Sequence, residues 1–117
     1  MIVDDEAINR DMLNGILTAQ GYDVFGAING EHALSMIPDY EPDIILLDVI
    51  MPIMDGFEAT AIIREKSDIP IIGLSGNPSE EYVNQAEKLK MDGCLKKPID
   101  VDVLTATLKL AIDAYKG

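Results

Sequence analysis

Five side chains in this sequence are of types that could do chemistry together: Asp4, Asp5, Asp48, Ser75 and Lys97. Asp4 and Asp5 are adjacent and follow only Met1, Ile2 and Val3. Two like charges in contact repel unless water or a cation offsets them. Asp48 closes the aliphatic run "DIILLD", Ser75 follows "IPIIGL", and Lys97 follows "GCLK". Brought together, three carboxylates cannot all stay ionised without a cation, and hard oxygen ligands select Mg²⁺ or Mn²⁺ over zinc. Mg²⁺ favours sites where a phosphoryl oxygen supplies a further ligand. A lysine ammonium is a point charge suited to phosphate, and a serine hydroxyl can donate to a phosphoryl oxygen. A carboxylate flanked by Mg²⁺ and lysine is a competent phosphoryl acceptor, giving an acyl phosphate.

The elements around these residues predict how they meet. "MIV" reads as a short strand. Residues 6–20 read as a helix, with Ile8, Met12, Ile16 and Ala19 beside Leu13 and Leu17 on one stripe and Gly21 as the stop. "YDVFGA" (22–27) is a second strand, and "NGEHALSMI" (29–37) a helix with Ala33, Leu34 and Ile37 inward, closed by Pro38. "DIILLD" (43–48) suits a strand buried on both faces of a parallel sheet. A helix follows over 57–66, with Ala59, Ile62 and Ile63 inward, then strand 69–74, helix 79–90 and a short strand 93–96. Asp100 is the candidate N-cap of a last helix, in which Leu104, Leu108, Ile112 and Tyr115 recur at helical spacing.

Five strands alternating with five helices predict an α/β fold, a doubly wound parallel sheet with helices on both faces. In such sheets ligands bind beyond the carboxyl ends of the strands, where strand order reverses. Asp4, Asp5, Asp48, Ser75 and Lys97 all fall at those ends. The second strand ends blandly in "GAING", as suits an outer strand.

Composition narrows the partners. Twenty-one acidic residues against 9 basic ones give a formal net charge of −12 over 117 residues. That argues against direct nucleic-acid binding, which needs Lys and Arg on phosphates, and against docking on anionic membranes. A bound cation or a basic partner fits better. The single cysteine, Cys94, excludes an internal disulfide or a CxxC site, and reads as a small buried strand residue. No apolar run approaches the roughly 18 residues of a membrane span. A cytoplasmic single domain over residues 1–117 is expected, without an output domain. His32 reads as solvent-facing.

At this point the chain resembles the receiver domain of two-component response regulators. That family has an acidic pair after the first strand, here Asp4-Asp5, and an acceptor within D-x-x-M-P-x-M-D-G, here "DVIMPIMDG" from Asp48 to Gly56. It has Ser or Thr after the fourth strand, here Ser75, and Lys-Pro after the fifth, here Lys97-Pro98. The resemblance covers essentially the whole chain and implies a flavodoxin-like sheet of order 2-1-3-4-5. It implies phosphorylation of Asp48 by a phosphohistidine on a histidine kinase or histidine-phosphotransfer protein, with a downstream protein partner or a second copy of the chain reading the result. It implies Mg²⁺ (or Mn²⁺) on Asp5, Asp48 and the Ile50 backbone carbonyl, with Asp4 acting through water. Lys97 and Ser75 would contact the phosphoryl group. Pro52, Asp55 and Gly56 would shape the loop into the third helix, and the Lys97-Pro98 bond would be cis.

Two positions depart from the family. An aromatic usually stands three residues before the lysine, where this chain has Cys94. Gly76 follows the switch hydroxyl where Ala is common. Output through the loop after Ser75, rather than through an aromatic at position 94, is the expectation. The first strand, central in this fold, is short, so lengthening it by two aliphatic residues ahead of Met1 is expected to raise the melting temperature. The "GCLKKPI" ending is similar to receivers of hybrid kinases. Other folds and chemistries fit less well. Aspartate-nucleophile phosphohydrolases want D-x-D-x-[TV] after the first strand, where this chain reads "DDEAI". A flavodoxin-like cofactor carrier wants a Ser/Thr/Gly-rich phosphate loop there.

Overall fold

The aliphatic runs become strands in the computed structural model, which describes residues 1–49, 54–76 and 79–116. In chain order the elements are β1 (Ile2–Val3), α1 (Ala7–Ala19), β2 (Gly26–Ala27), α2 (Gly30–Tyr40), β3 (Ile45–Asp48), α3 (Gly56–Arg64), β4 (Ile71–Ser75), α4 (Glu80–Lys88), β5 (Gly93–Lys96) and α5 (Val101–Lys116). The strands form one parallel sheet of order β2-β1-β3-β4-β5. This is the doubly wound fold expected from the sequence.

The pleat divides the apolar residues between two faces. Val3, Ile45, Leu47 and Ile71 pack with Ala33, Ala59 and Ile63 on one side. Ile2, Leu46, Ile72, Leu74 and Leu95 pack with Leu13, Leu17, Leu104 and Leu108 on the other. Burying a side chain of this size contributes about 1.5–3 kcal/mol, so each face holds several such contributions. Side-chain caps start four of the five helices, α1 being the exception. Asn29 accepts from the His32 amide (2.8 Å), Asp55 from Glu58 (2.8 Å) and Ser79 from Tyr82 (3.1 Å). Asp100, as expected, accepts from Asp102 (2.9 Å) and Val103 (3.2 Å).

The structure corrects several boundaries. The second strand shrinks from 22–27 to Gly26–Ala27 because its only neighbour, β1, offers two residues for pairing. Helix α2 does not stop before Pro38. It runs on to Tyr40, whose ring packs 4.6 Å from Phe25, and ends at Glu41 in a left-handed conformation (φ 44°). Proline in a last turn removes one hydrogen bond, and this helix tolerates that loss. On α1 the apolar stripe splits. Leu13 and Leu17 are buried, whereas Ile8 and Met12 face solvent. Tyr115 is likewise exposed at the end of α5. No helix among the described residues is long and apolar enough to cross a membrane.

Candidate functional site

The central strands deliver three carboxylates to one edge. β1 runs into Asp4 and Asp5, and β3 ends at Asp48. Oxygens of Asp4, Asp5 and Asp48 all lie within 4.8 Å of one another. Asp4 is fully buried, Asp48 nearly so, and Asp5 is exposed. Asp4 is held from both ends: its Oδ1 accepts from the Glu6 amide (2.9 Å), and its carbonyl accepts from the Arg10 guanidinium (2.6 Å). Its Oδ2 has no hydrogen-bond partner. Burial, joined by the charge of Asp48, raises the Asp4 carboxyl above the ordinary carboxylate range, against the Glu6 amide, Lys97 and the Asn9 side chain.

Lys97 enters from the other side. The Lys97 backbone amide donates to the Ser75 carbonyl (2.8 Å), which extends the β4–β5 pairing to the site. Its Nζ donates to Asp48 Oδ2 (3.1 Å) and stands 3.8 Å from Asp4 Oδ2, an ion pair too long for a hydrogen bond. The Lys97-Pro98 peptide is cis. Ser75, at the end of β4, is buried, and Gly76 after it is exposed.

Behind Asp48 the backbone is closely packed. The Gly56 amide donates to the Val49 carbonyl (3.0 Å), and Thr60 Oγ1 donates to the Gly56 carbonyl (2.7 Å). A Cβ on Gly56 would fall 2.7 Å from the Asp48 carbonyl oxygen and 2.8 Å from Val49 Cα. Glycine is therefore required there by close approach, which gives the "DG" of the nine-residue block a physical reason. Ile50 and Pro52 lie outside the described residues.

The structure thus brings Asp4, Asp5, Asp48 and Lys97 into one cluster and puts Ser75 beside it. The donor set suits a hard divalent cation: three carboxylates, one carrying a buried oxygen without a partner, and a single ammonium to balance them. One expectation fails. Cys94 is exposed, not buried. It lies on the edge strand β5, and only its neighbour Leu95 turns into the core. His32 is exposed, as expected.

Two features escaped the sequence reading. Arg10 anchors the Asp4 carbonyl from six residues along the chain. Tyr82 lies under α4 with its ring 5.4 Å from Phe57 and its hydroxyl over Gly73. The signal for Tyr82 was Gly73 itself, a glycine inside an aliphatic strand, which often marks the close approach of another group.

The comparisons with known proteins agree with this geometry. The family model described as "Response regulator receiver domain" matches residues 1–109. The Escherichia coli sensor histidine kinase RcsC is 39% identical over 111 residues, covering 94% of this chain and 12% of that protein. The Salmonella typhimurium sensor histidine kinase RcsC is 38% identical over 109 residues, again 12% of that protein. The chain therefore spans about an eighth of the length of these relatives. Among solved structures, Vibrio cholerae chemotaxis protein CheY4 superposes with a TM-score of 0.90 at 33% identity, covering 94% of each chain. A two-component response regulator from Clostridium difficile superposes at 0.93 with 26% identity, covering 99% of this chain and 96% of that one.

Proposed function

The chain belongs to the response regulator receiver domain family, and from that premise we propose that it accepts a phosphoryl group on Asp48 from a phosphohistidine and relays the change to a protein partner. The observation that carries this reading is the contact of Lys97 Nζ with Asp48 Oδ2 (3.1 Å) beside two further carboxylates. An Asp48 oxygen attacks phosphorus, the P–N bond to the donor imidazole breaks, and the imidazole nitrogen recovers a proton as it leaves. Lys97 holds the acceptor carboxylate in place and offsets charge on the transferring group. Ser75, at the neighbouring strand end, donates to a phosphoryl oxygen once the group is in place. Asp4, Asp5 and Asp48 would hold the divalent cation, with the Ile50 carbonyl, and its chemistry is to neutralise charge on the phosphoryl oxygens.

The donor is a histidine kinase or a histidine-phosphotransfer protein. The domain acts as a regulatory acceptor, with turnover limited to slow loss of its own phosphoryl group. The net charge of −12 favours a basic or neutral partner surface over nucleic acid. Incubation with acetyl phosphate and Mg²⁺, read by intact-mass spectrometry, tests the reading. One labile phosphoryl adduct that disappears in Asp48→Asn is expected. Turnover of a generic phosphomonoester without an adduct would overturn it in favour of a phosphohydrolase.

A further inference from the structure

Among the described residues, two buried side-chain polar atoms lack a hydrogen-bond partner: Asp4 Oδ2, within the carboxylate cluster, and the Tyr82 hydroxyl. The site accounts for the first. Nothing in the chemistry above uses the second. Tyr82 is 7% exposed, and burial, joined by the nearby Cys94 and Asp48, pushes its phenol up to about 12. It is a dry O–H donor with nothing to donate to. Leaving such a donor unpaired costs free energy that a well-placed acceptor returns.

What lies beside it is a thiol. The Tyr82 hydroxyl stands over Gly73, where a Cβ would overlap it outright. Met91 Cε closes the same space, 2.9 Å from that Cβ. Gly73 is in register with Cys94 on the neighbouring strand, about 4.8 Å away, so the Cys94 side chain leaves the sheet on the same face. The thiol makes no hydrogen bond to the hydroxyl. Cys94 is also exposed, because β5 is an edge strand. The sulfur therefore has one side open to solvent and one side toward an unpaired buried donor. Lys96, two residues on, adds a positive charge on the same face of β5.

An oxygen carried on the sulfur supplies the missing acceptor. We propose that Cys94 is a site of oxidation by hydroperoxides, and that the oxygen of its sulfenic acid is received by the Tyr82 hydroxyl. The thiolate sulfur attacks one oxygen of hydrogen peroxide. The S–O bond forms as the O–O bond breaks, and two electrons pass from sulfur to peroxide. The hydroxide released takes up the thiol proton and leaves as water. Donation from Tyr82 then draws charge off the sulfenate. That slows its attack on a second peroxide and its passage to the irreversible sulfinic acid. Cys94 is the chain's single cysteine, so an external thiol, not a second cysteine of the chain, restores it.

The test treats the whole chain with hydrogen peroxide and reads it by mass spectrometry, with dimedone to trap sulfenic acid. Oxidised methionine does not react with dimedone, so the adduct reports Cys94 alone. An adduct is expected on the parent chain and none on Cys94→Ser. Tyr82→Phe keeps the ring and removes only the unpaired oxygen, so its melting temperature should not fall. In it the sulfenic acid should still form but pass to sulfinic acid about tenfold faster, the loss of one hydrogen bond to a charged oxygen. In urea, which frees the hydroxyl from the thiol, the two chains should oxidise alike. No dimedone adduct on the folded parent overturns the proposal, as does equal persistence of the sulfenic acid in Tyr82→Phe. A lower melting temperature of Tyr82→Phe means that the hydroxyl already has a partner, and overturns it too. No phosphoryl donor enters the experiment, so its outcome is independent of the reading of Asp48.

Discussion

Replacing Asp4 with asparagine should make the cation-free domain more stable, although Asp4 is fully buried and hydrogen-bonded. At an effective dielectric of about 20, charges no more than 4.8 Å apart interact by at least about 3.5 kcal/mol, which bounds the repulsion between Asp4 and Asp48 from below. Lys97, 3.8 Å from Asp4 Oδ2, returns about 4.4 kcal/mol of attraction on the same scale. Asp5 is exposed, so water screens its share. The pairwise terms nearly cancel, and the burial of a carboxylate with one unpaired oxygen decides the balance. Asn keeps the Oδ1 acceptor for the Glu6 amide and turns a neutral donor toward Asp48.

The expected gain is about 1–2 kcal/mol, the usual cost of one unpaired buried polar group, or a melting temperature about 4–8 °C higher for a domain of this size. The assay is thermal unfolding in EDTA and in Mg²⁺. Saturating Mg²⁺ at about 100 times its Kd should stabilise the parent chain by about 2.7 kcal/mol and the variant far less, reversing their order. The pH dependence has a definite sign. The folded pKa of Asp4 is raised above 3.8, so within that window the folded state binds more protons. Without cation, the parent therefore loses stability as pH rises through the window, and Asp4→Asn removes that loss. If Asp4→Asn melts lower than the parent in EDTA, the carboxylate is a net stabiliser and the reasoning fails.

Gly56→Ala forces a Cβ to within 2.7 Å of the Asp48 carbonyl and should cost about 1–3 kcal/mol in urea denaturation, with slower uptake of phosphate from acetyl phosphate. Arg64 ties three segments at the opposite end of the sheet, donating to the carbonyls of Ile69 (2.7 Å) and Lys90 (2.9 Å) and to Asp92 (2.8 Å). Arg64→Met should lower the urea midpoint by about 2–3 kcal/mol equivalent while the phosphoryl adduct still forms.

The order of elements was legible because each apolar run is bounded by its own stop signals and alternates with helical spacing. The lengths were less so, because a strand exists only as far as its neighbour pairs with it. Residues 22–27 have the composition of a full strand, yet two residues of β1 allow only two of β2. Ile8 and Met12 recur at helical spacing on α1 but are exposed, at least about 100° around the helix from the stripe that buries Leu13 and Leu17. The carboxylates and Lys97 were legible because strand ends converge whatever the details between them. Cys94 was misjudged because β5 has a neighbour on one side only, and a strand residue there need not be covered. Tyr82 was missed because its relation to Gly73 crosses from helix to strand and appears in no spacing.

These differences sort the site into two halves with different mechanical character. Asp48 and Asp4 sit on interior strands. One is backed by Gly56 and Thr60, the other gripped by the Glu6 amide and Arg10. Neither can move without breaking backbone contacts that hold the core. Ser75 and Lys97 lie toward the β4–β5 side, where the sheet ends and a hollow of about 520 Å³ opens beside Ser75. A charge added at Asp48 therefore meets a rigid wall on one side and an adjustable one on the other. Substitutions in the rigid half should register chiefly as stability. Those in the adjustable half should leave the melting temperature nearly intact and change how the surface of α4 responds.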